Sequence, residues 1–464
     1  MGVLNAVMVP HPPIILPEVG HGEEKKIQAT IDAYAEAARF VARAKPDTII
    51  ITTPHSVMYA DWFHISPGSS ARGSFLPFGA GGVRISADYD TEFVDEFCRA
   101  AQKVGFPAGT IGERDASLDH ATMIPLYFLQ KAYGDRALPQ IVRIGLSGLP
   151  LTDHYTLGTM IRDTADKLGR RVSVVASGDL SHRLKPDGPY GFKAEGPQYD
   201  ERIMDVMGRA AFGELFSFGA AFCDAAGECG HRSFTIMAGC LDGRAVQARK
   251  LSYEGPFGVG YGVCLFTPGE ADSSRRFLAA ELEAEDTRLR TRKEHEDAYV
   301  RLARLSVETY VSKGKEAALP SGLPKEMTER RAGVFVSLHQ NGQLRGCIGT
   351  TAATTPSVAQ EILQNGVSAC SQDPRFPAVT RLELPTLEYS VDVLGDAEDI
   401  SSPNELNVKR YGVIVTNGRR RGLLLPDLEG VDTVADQIAI AKRKAGIRPE
   451  ETVSLQRFEV VRHA

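Results

Sequence analysis

Four runs, Leu4–Val9, Thr48–Thr53, Gln140–Leu146 and Val172–Ser177, carry apolar residues at both odd and even positions. Runs of that length and pattern predict buried strands. Stretches with helical spacing lie between them: Glu23–Ala44, Thr91–Val104, Ala121–Ala132 and Thr152–Leu168. Further helices are expected over Gln198–Arg209 and Gly230–Leu241, and Ala245–Phe266 reads as a closing strand pair. This alternation predicts an α/β domain built on a central sheet.

The pattern changes near residue 270. Thr267–Arg276 (TPGEADSSRR) is polar and rich in turn formers, which suits a linker. A charged helical stretch is expected from Phe277 to about Ser312. Short strands follow: GVFVSLHQNGQLRGCIGT reads as a hairpin around Asn341-Gly342, and Leu387–Gly395 alternates like a half-buried strand. The expected organisation is an α/β domain over 1–268, a linker over 269–284 and an α+β domain over 285–464.

Composition narrows the partners. A chain of 464 residues is long enough for two or three domains. A net charge of −6 gives no reason to expect nucleic acid as a partner. The seven cysteines show no CxxC spacing, so neither a disulfide framework nor a zinc-finger site is expected. No secretory pattern and no membrane-length apolar run is visible, so the expected location is a reducing cytoplasm, with no membrane partner.

The candidate chemistry sits where the strand-like runs stop. The first run ends at His11, between Pro10 and Pro12, and the second at Pro54-His55. The fourth leads into Asp179 and His182. In an open α/β sheet, ligands bind in the crevice at the carboxyl ends of the strands. His120 follows Asp119 at an expected helix start, and Glu228 lies among glycines just before another helix. Two histidines and a carboxylate form the facial arrangement of non-haem Fe(II) oxygenases. A further histidine outside that set could carry a proton near neutral pH. His21, His64, His154, His231, His295, His339 and His463 are expected to be solvated or locally bonded.

The strings VPHPPIILPEVG, TTPHS, SLDHATMIPLYFL, ASGDLSH and ECGHRSF resemble the class III extradiol dioxygenase superfamily, which includes the protocatechuate 4,5-dioxygenase catalytic subunit and the Memo proteins. The resemblance covers about residues 1–268. It implies Fe(II), with zinc or copper as alternatives, held by His11, His55 and Glu228. It implies His182 as the acid–base histidine, and His120 as a second active-site histidine for substrate or dioxygen. The implied substrate is a catechol-type aromatic diol, opened next to one hydroxyl-bearing carbon. Memo proteins carry Cys-Gly-Arg-His where this chain has CGHRS, and their site uses that cysteine. Cys229 is therefore a rival to Glu228 as the third ligand.

LRGCIGT, SQDPRFPAV, LPTLEYSVDVL and RRGLLLP resemble the AMMECR domain over about 285–464. A chain joining the two domains is similar to the AmmeMemoRadiSam system family, which implies a radical-SAM protein as partner. An oligomer is compatible with the sequence. The alternative function on this resemblance is a metal-binding or redox accessory role without ring cleavage. Arg345 and Cys347 could line a small site, but a packed turn with a buried cysteine is the favoured reading. Arg375 could bind an anion, whereas the prolines around it favour a rigid packed loop.

Overall fold

The computed structural model describes residues 2–340, 342–428 and 430–464, and the chain divides into two compact units between Ala284 and Glu285. In the first unit, six strands form one sheet. They are β1 (Val3–Val9), β2 (Thr48–Thr53), β3 (Gln140–Gly145), β4 (Val172–Ser177), β5 (Arg244–Glu254) and β6 (Tyr261–Ala271). Their order is β3-β2-β4-β1-β6-β5. The first four in that order are parallel, and β6 is antiparallel to both β1 and β5.

Helices cover both faces. They are α1 (Gln28–Ala44), α2 (Thr91–Val104), α3 (His120–Tyr133), α4 (Leu151–Leu168), α5 (Glu195–Gly208) and α6 (His231–Cys240). Ala6, Met8, Ile50 and Val174 pack on one side with residues of α2, α4, α5 and α6. Val7, Val9, Ile49, Ile51 and Val175 pack on the other with α1 and α3. Burial on both faces is why the strand runs are apolar at both parities. Each of the valine, isoleucine and methionine side chains among them contributes about 1.5–3 kcal/mol when fully buried.

The closing strand pair extends beyond its expected end, because β6 continues to Ala271. A short 3-10 turn, Ser273–Arg275, and helix α7 (Phe277–His295) follow. The segment expected as a linker thus carries regular structure through most of its length.

In the second unit, β7 (Val334–Gln340), β8 (Gln343–Gly349), β9 (Leu387–Leu394) and β14 (Val460–His463) form one sheet, ordered β8-β7-β9-β14. The expected hairpin joins β7 to β8 with Gln340 opposite Gln343. Asn341 lies outside the described residues, and Gly342 takes a left-handed φ of 74°. Val336, Leu338, Tyr389 and Val391 pack against helices α8 (Ala298–Lys313) and α9 (Val358–Ser371). A second sheet contains β10 (Glu398–Ile400), β11 (Gly412–Asn417), β12 (Arg420–Leu424) and β13 (Ser454–Phe458), ordered β10-β13-β11-β12. Helix α10 (Val434–Lys444) packs on it. The unit is α+β, as the pattern predicts.

The two motifs of this unit hold each other. Arg345 Nε donates to Glu383 Oε1 at 2.6 Å. The Cys347 amide donates to Asp373 Oδ2 at 2.9 Å, and Arg375 is spent on Asp373 and the Cys347 carbonyl. Both motifs thus form a packed turn, although Cys347 itself is only half-buried and not buried as expected. Among the described residues, no helix is long and apolar enough to cross a membrane.

Candidate metal centre

Because β1, β2 and β4 are parallel and adjacent, their carboxyl ends share one edge of the sheet. His11 follows β1, His55 follows β2 and His182 follows β4. His120 opens α3, capped by Asp119, whose Oδ1 accepts from the Thr122 amide at 3.0 Å. The ligating atoms of His11, His55 and His120 all lie within 4.8 Å of one another. His11 Nε2 and His55 Nε2 are 3.1 Å apart, and the rings of His55 and His120 have centroids 4.3 Å apart.

His182 is close enough to act electrostatically on His11, and His55 acts on it in turn. Its ring lies against Tyr190, with centroids 5.1 Å apart. Its Nε2 is buried with no hydrogen-bond partner among the described residues. Cys229 Sγ lies 3.5 Å from His11 Nε2 and accepts from the Asp179 amide at 3.3 Å.

Glu228, expected as the carboxylate ligand, is not in the converging group. Its Oε2 accepts from the backbone amide of His231 at 2.6 Å, at the start of α6. A helix start presents unpaired N–H groups and a partial positive charge, which hold a carboxylate. His120, expected to serve substrate or dioxygen, takes the third place among the converging side chains.

The electrostatics favour neutral imidazoles. Burial, and then His55, His120 and His182, hold His11 well below its ordinary range. Burial also lowers His55. His120 is lowered to about 4 by burial and then His55, and His182 to about 4 by burial and then His55. Neutral imidazole is the form that ligates a metal.

Neighbouring groups orient these rings. The His11 amide donates to Asp179 Oδ1 at 2.7 Å. His11 Nδ1 lies 3.0 Å from Ser177 Oγ, and Ser177 Oγ donates to the Ala121 carbonyl at 2.7 Å. A carbonyl cannot donate, so the one hydroxyl proton of Ser177 is committed to Ala121. His11 Nδ1 must then be the donor to Ser177, and His11 Nε2 keeps a lone pair toward His55. For His55, the backbone amide donates to Thr53 Oγ1 at 3.1 Å.

These residues fit a divalent transition metal. Two imidazole nitrogens held about 2.1 Å from one cation at adjacent positions stand about 3.0–3.4 Å apart. The second ring nitrogen of His11 donates to a fixed partner, as metal-bound histidines almost always do.

Three positions important to this geometry escape the sequence reading. Ser177 is the last residue of a strand run that is apolar apart from it and Ser173, and Pro125 interrupts the helical run after His120. Arg143 is a charge inside a buried strand; it is 1% exposed and lies 3.8 Å from Asp119. His64 departs from its expected solvated or bonded role. It is 1% exposed, and neither ring nitrogen has a hydrogen-bond partner among the described residues.

Comparison with known proteins bears on both units. Residues 5–264 match the family model described as "Catalytic LigB subunit of aromatic ring-opening dioxygenase", and residues 300–463 match the AMMECR1 model. The Clostridium acetobutylicum protein CA_C1420 is 38% identical over 471 residues, covering 100% of this chain and 99% of its own. A Thermotoga maritima protein is 50% identical over 171 residues, covering 36% of this chain and 98% of its own. The crystal structure of the Pyrococcus horikoshii protein PH0010 is similar at 33% identity with a TM-score of 0.33, covering 35% of this chain and 88% of that one. The chain therefore belongs to the family of the catalytic LigB subunit of aromatic ring-opening dioxygenases, here joined to an AMMECR1 domain.

Proposed function

We propose that the first unit is a non-haem Fe(II)-dependent, extradiol-type dioxygenase that opens a catechol-type aromatic diol. The observation that carries this reading is the convergence of His11, His55 and His120 at the strand ends, with His182 beside them. The three imidazoles would hold the metal; zinc and copper also suit such nitrogen donors. A ferrous ion bound there supplies Lewis acidity and a site at which diol and dioxygen meet.

His182 is the proton acceptor in this reading. Held neutral by burial, with a buried and unpartnered Nε2, it has a lone pair to take a hydroxyl proton from the diol. It returns that proton as the ring opens. Both atoms of dioxygen enter the product, so no external reductant is required. Ser177 and Asp179 keep His11 in register throughout.

The test is metal content after anaerobic purification, wild type beside His11→Ala, His55→Ala, His120→Ala, Glu228→Gln and Cys229→Ala, followed by oxygen uptake with a panel of diols. Stoichiometric iron that falls in the three histidine variants, with uptake on at least one diol, supports the reading. Full iron in His11→Ala sinks it.

The contact of Cys229 Sγ with His11 Nε2 favours a second reading. In it, the unit is a metal-binding or redox accessory protein for a radical-SAM partner, with the cysteine as a ligand and no ring cleavage. Metal lost in Cys229→Ala, together with no oxygen uptake on any diol, selects this reading over the first.

A further inference from the structure

Helix α3 carries a proline in its interior, Pro125. An interior proline has no N–H to give and removes the bond to the carbonyl four residues earlier. That carbonyl belongs to Ala121. It is buried, and a buried carbonyl without a donor is costly. The structure supplies a donor from another element: Ser177 Oγ, at the end of β4, bonds it at 2.7 Å.

Ser177 is fully buried, and its single proton can serve one acceptor well. Two acceptors compete for it, the Ala121 carbonyl and His11 Nδ1. The carbonyl wins because the helix cannot satisfy it. His11 Nδ1 then donates to Ser177, and the lone pair of His11 is left on Nε2, facing His55 at 3.1 Å.

We infer that Pro125 is a positioning residue for His11: by denying the Ala121 carbonyl its helical donor, it draws the Ser177 proton and fixes the tautomer in which His11 Nε2 is free to ligate a metal. This rests on the metal-centre reading given above. In this scheme Pro125 acts through Ala121 and Ser177.

Replacing Pro125 by alanine restores an N–H in line with Ala121. The carbonyl is then satisfied within α3, and the Ser177 hydroxyl is released to donate to His11 Nδ1. The imidazole proton moves to Nε2, where it must be displaced before a metal can bind. The same substitution removes a residue that disfavours helix interiors by about 3 kcal/mol relative to alanine. Pro125 lines a small buried cavity with Val7, Val9 and Tyr34, and the enlarged void left by alanine works against that gain. A purely structural proline predicts that stability and metal binding change together. The relay predicts that they separate.

The experiment uses the full chain as wild type, His11→Ala, Pro125→Ala, Ser177→Ala and the Pro125→Ala/Ser177→Ala double variant. Three quantities are read: thermal unfolding without metal, Co(II) affinity with the ligand-field spectrum at saturation, and the His11 tautomer from nitrogen–proton NMR of the metal-free protein. The wild type should show His11 protonated at Nδ1. Pro125→Ala should unfold no earlier than wild type, show His11 protonated at Nε2, and bind Co(II) about tenfold or more weaker with a shifted spectrum. The double variant should bind no more weakly than Ser177→Ala alone.

Wild-type affinity and an unchanged spectrum in Pro125→Ala overturn the inference, as does multiplication of the two single losses. A wild-type His11 protonated at Nε2 overturns it even where Pro125→Ala fails to fold. If wild type takes up no Co(II), or His11→Ala takes up as much, the metal-centre reading itself fails and the inference falls with it.

Discussion

Asp119 Oδ1 lies 2.7 Å from Thr53 Oγ1, and this one bond ties the strand end that presents His55 to the helix start that presents His120. The same carboxylate caps α3 through the Thr122 amide and hydroxyl. Asp119→Ala should therefore act on both histidines. The expected loss is 10–100-fold in metal affinity, of the order found when partners of metal ligands are removed. The missing cap should cost about 1 kcal/mol of stability. Asp119→Asn keeps an acceptor at the cap and should lose less of both. Isothermal titration with Co(II) beside thermal unfolding checks the pair; equal affinity in Asp119→Ala would remove Asp119 from the centre.

The positions of His120 and Glu228 make opposite predictions for two variants. His120→Ala takes one of three converging nitrogens away and should strip most of the bound metal. Glu228→Gln keeps an oxygen for the His231 amide, so it should retain both its helix start and its metal. Metal analysis of the two purified proteins decides between the assembled site and the ligand set implied by resemblance.

Asp200 carries a pH signature outside the site. It accepts from the Ser181 amide at 2.7 Å and from Tyr253 at 2.8 Å, yet burial raises its carboxyl to about 7. Its folded value lies above the unfolded carboxylate value near 4, so the folded state holds the proton more tightly. That contribution is complete below the unfolded value and is lost as pH rises through about 7. The slope between these limits is at most about 1.4 kcal/mol per pH unit. Asp179 and Glu228 are shifted in the same direction, so the comparison must be a difference. Wild type minus Asp200→Asn, followed by denaturant unfolding from pH 5 to 8, should fall with pH. A flat difference contradicts the assignment.

In the second unit, Asp373 is a buried anchor for two motifs at once. The Arg375 guanidinium beside it holds its carboxyl well below the usual carboxylate range. Asp373→Asn loses that charged pairing and weakens the bond to the Cys347 amide, 2.9 Å long in the wild type. The expected cost is about 1–3 kcal/mol. Faster hydrogen exchange at the Cys347 amide of the full chain is the direct readout, and unchanged exchange counts against an anchoring role.

Much of this architecture is legible in the chain. β2 and β4 coincide with their apolar runs, because burial on both faces leaves a continuous apolar signature. The strand-end rule puts His11, His55 and His182 at one edge from the sequence alone. Glu228 and His120 look alike on a line of letters: each is a polar residue at a helix start. Only the packing shows that the Glu228 carboxylate turns back to its own helix and His120 faces His55. Ser177 and Pro125 stayed silent for a related reason. The bond from Ser177 to the Ala121 carbonyl joins residues 56 apart, and no local pattern encodes it. Thr267–Arg276 reads as a tether because a polar strand end and a tether share a composition, while the pairing of β6 with β5 extends to Ala271.

The strand-end origin of the histidines has a thermodynamic consequence. His11 and His55 are 44 residues apart, and the sheet alone brings them together. An unfolded chain offers no such set, so a cation captured there is a ligand of the folded state only. By mass action it stabilises that state by about 2.7 kcal/mol at a hundred times its dissociation constant. A chelator would then lower the stability of a metal-loaded chain by that same amount.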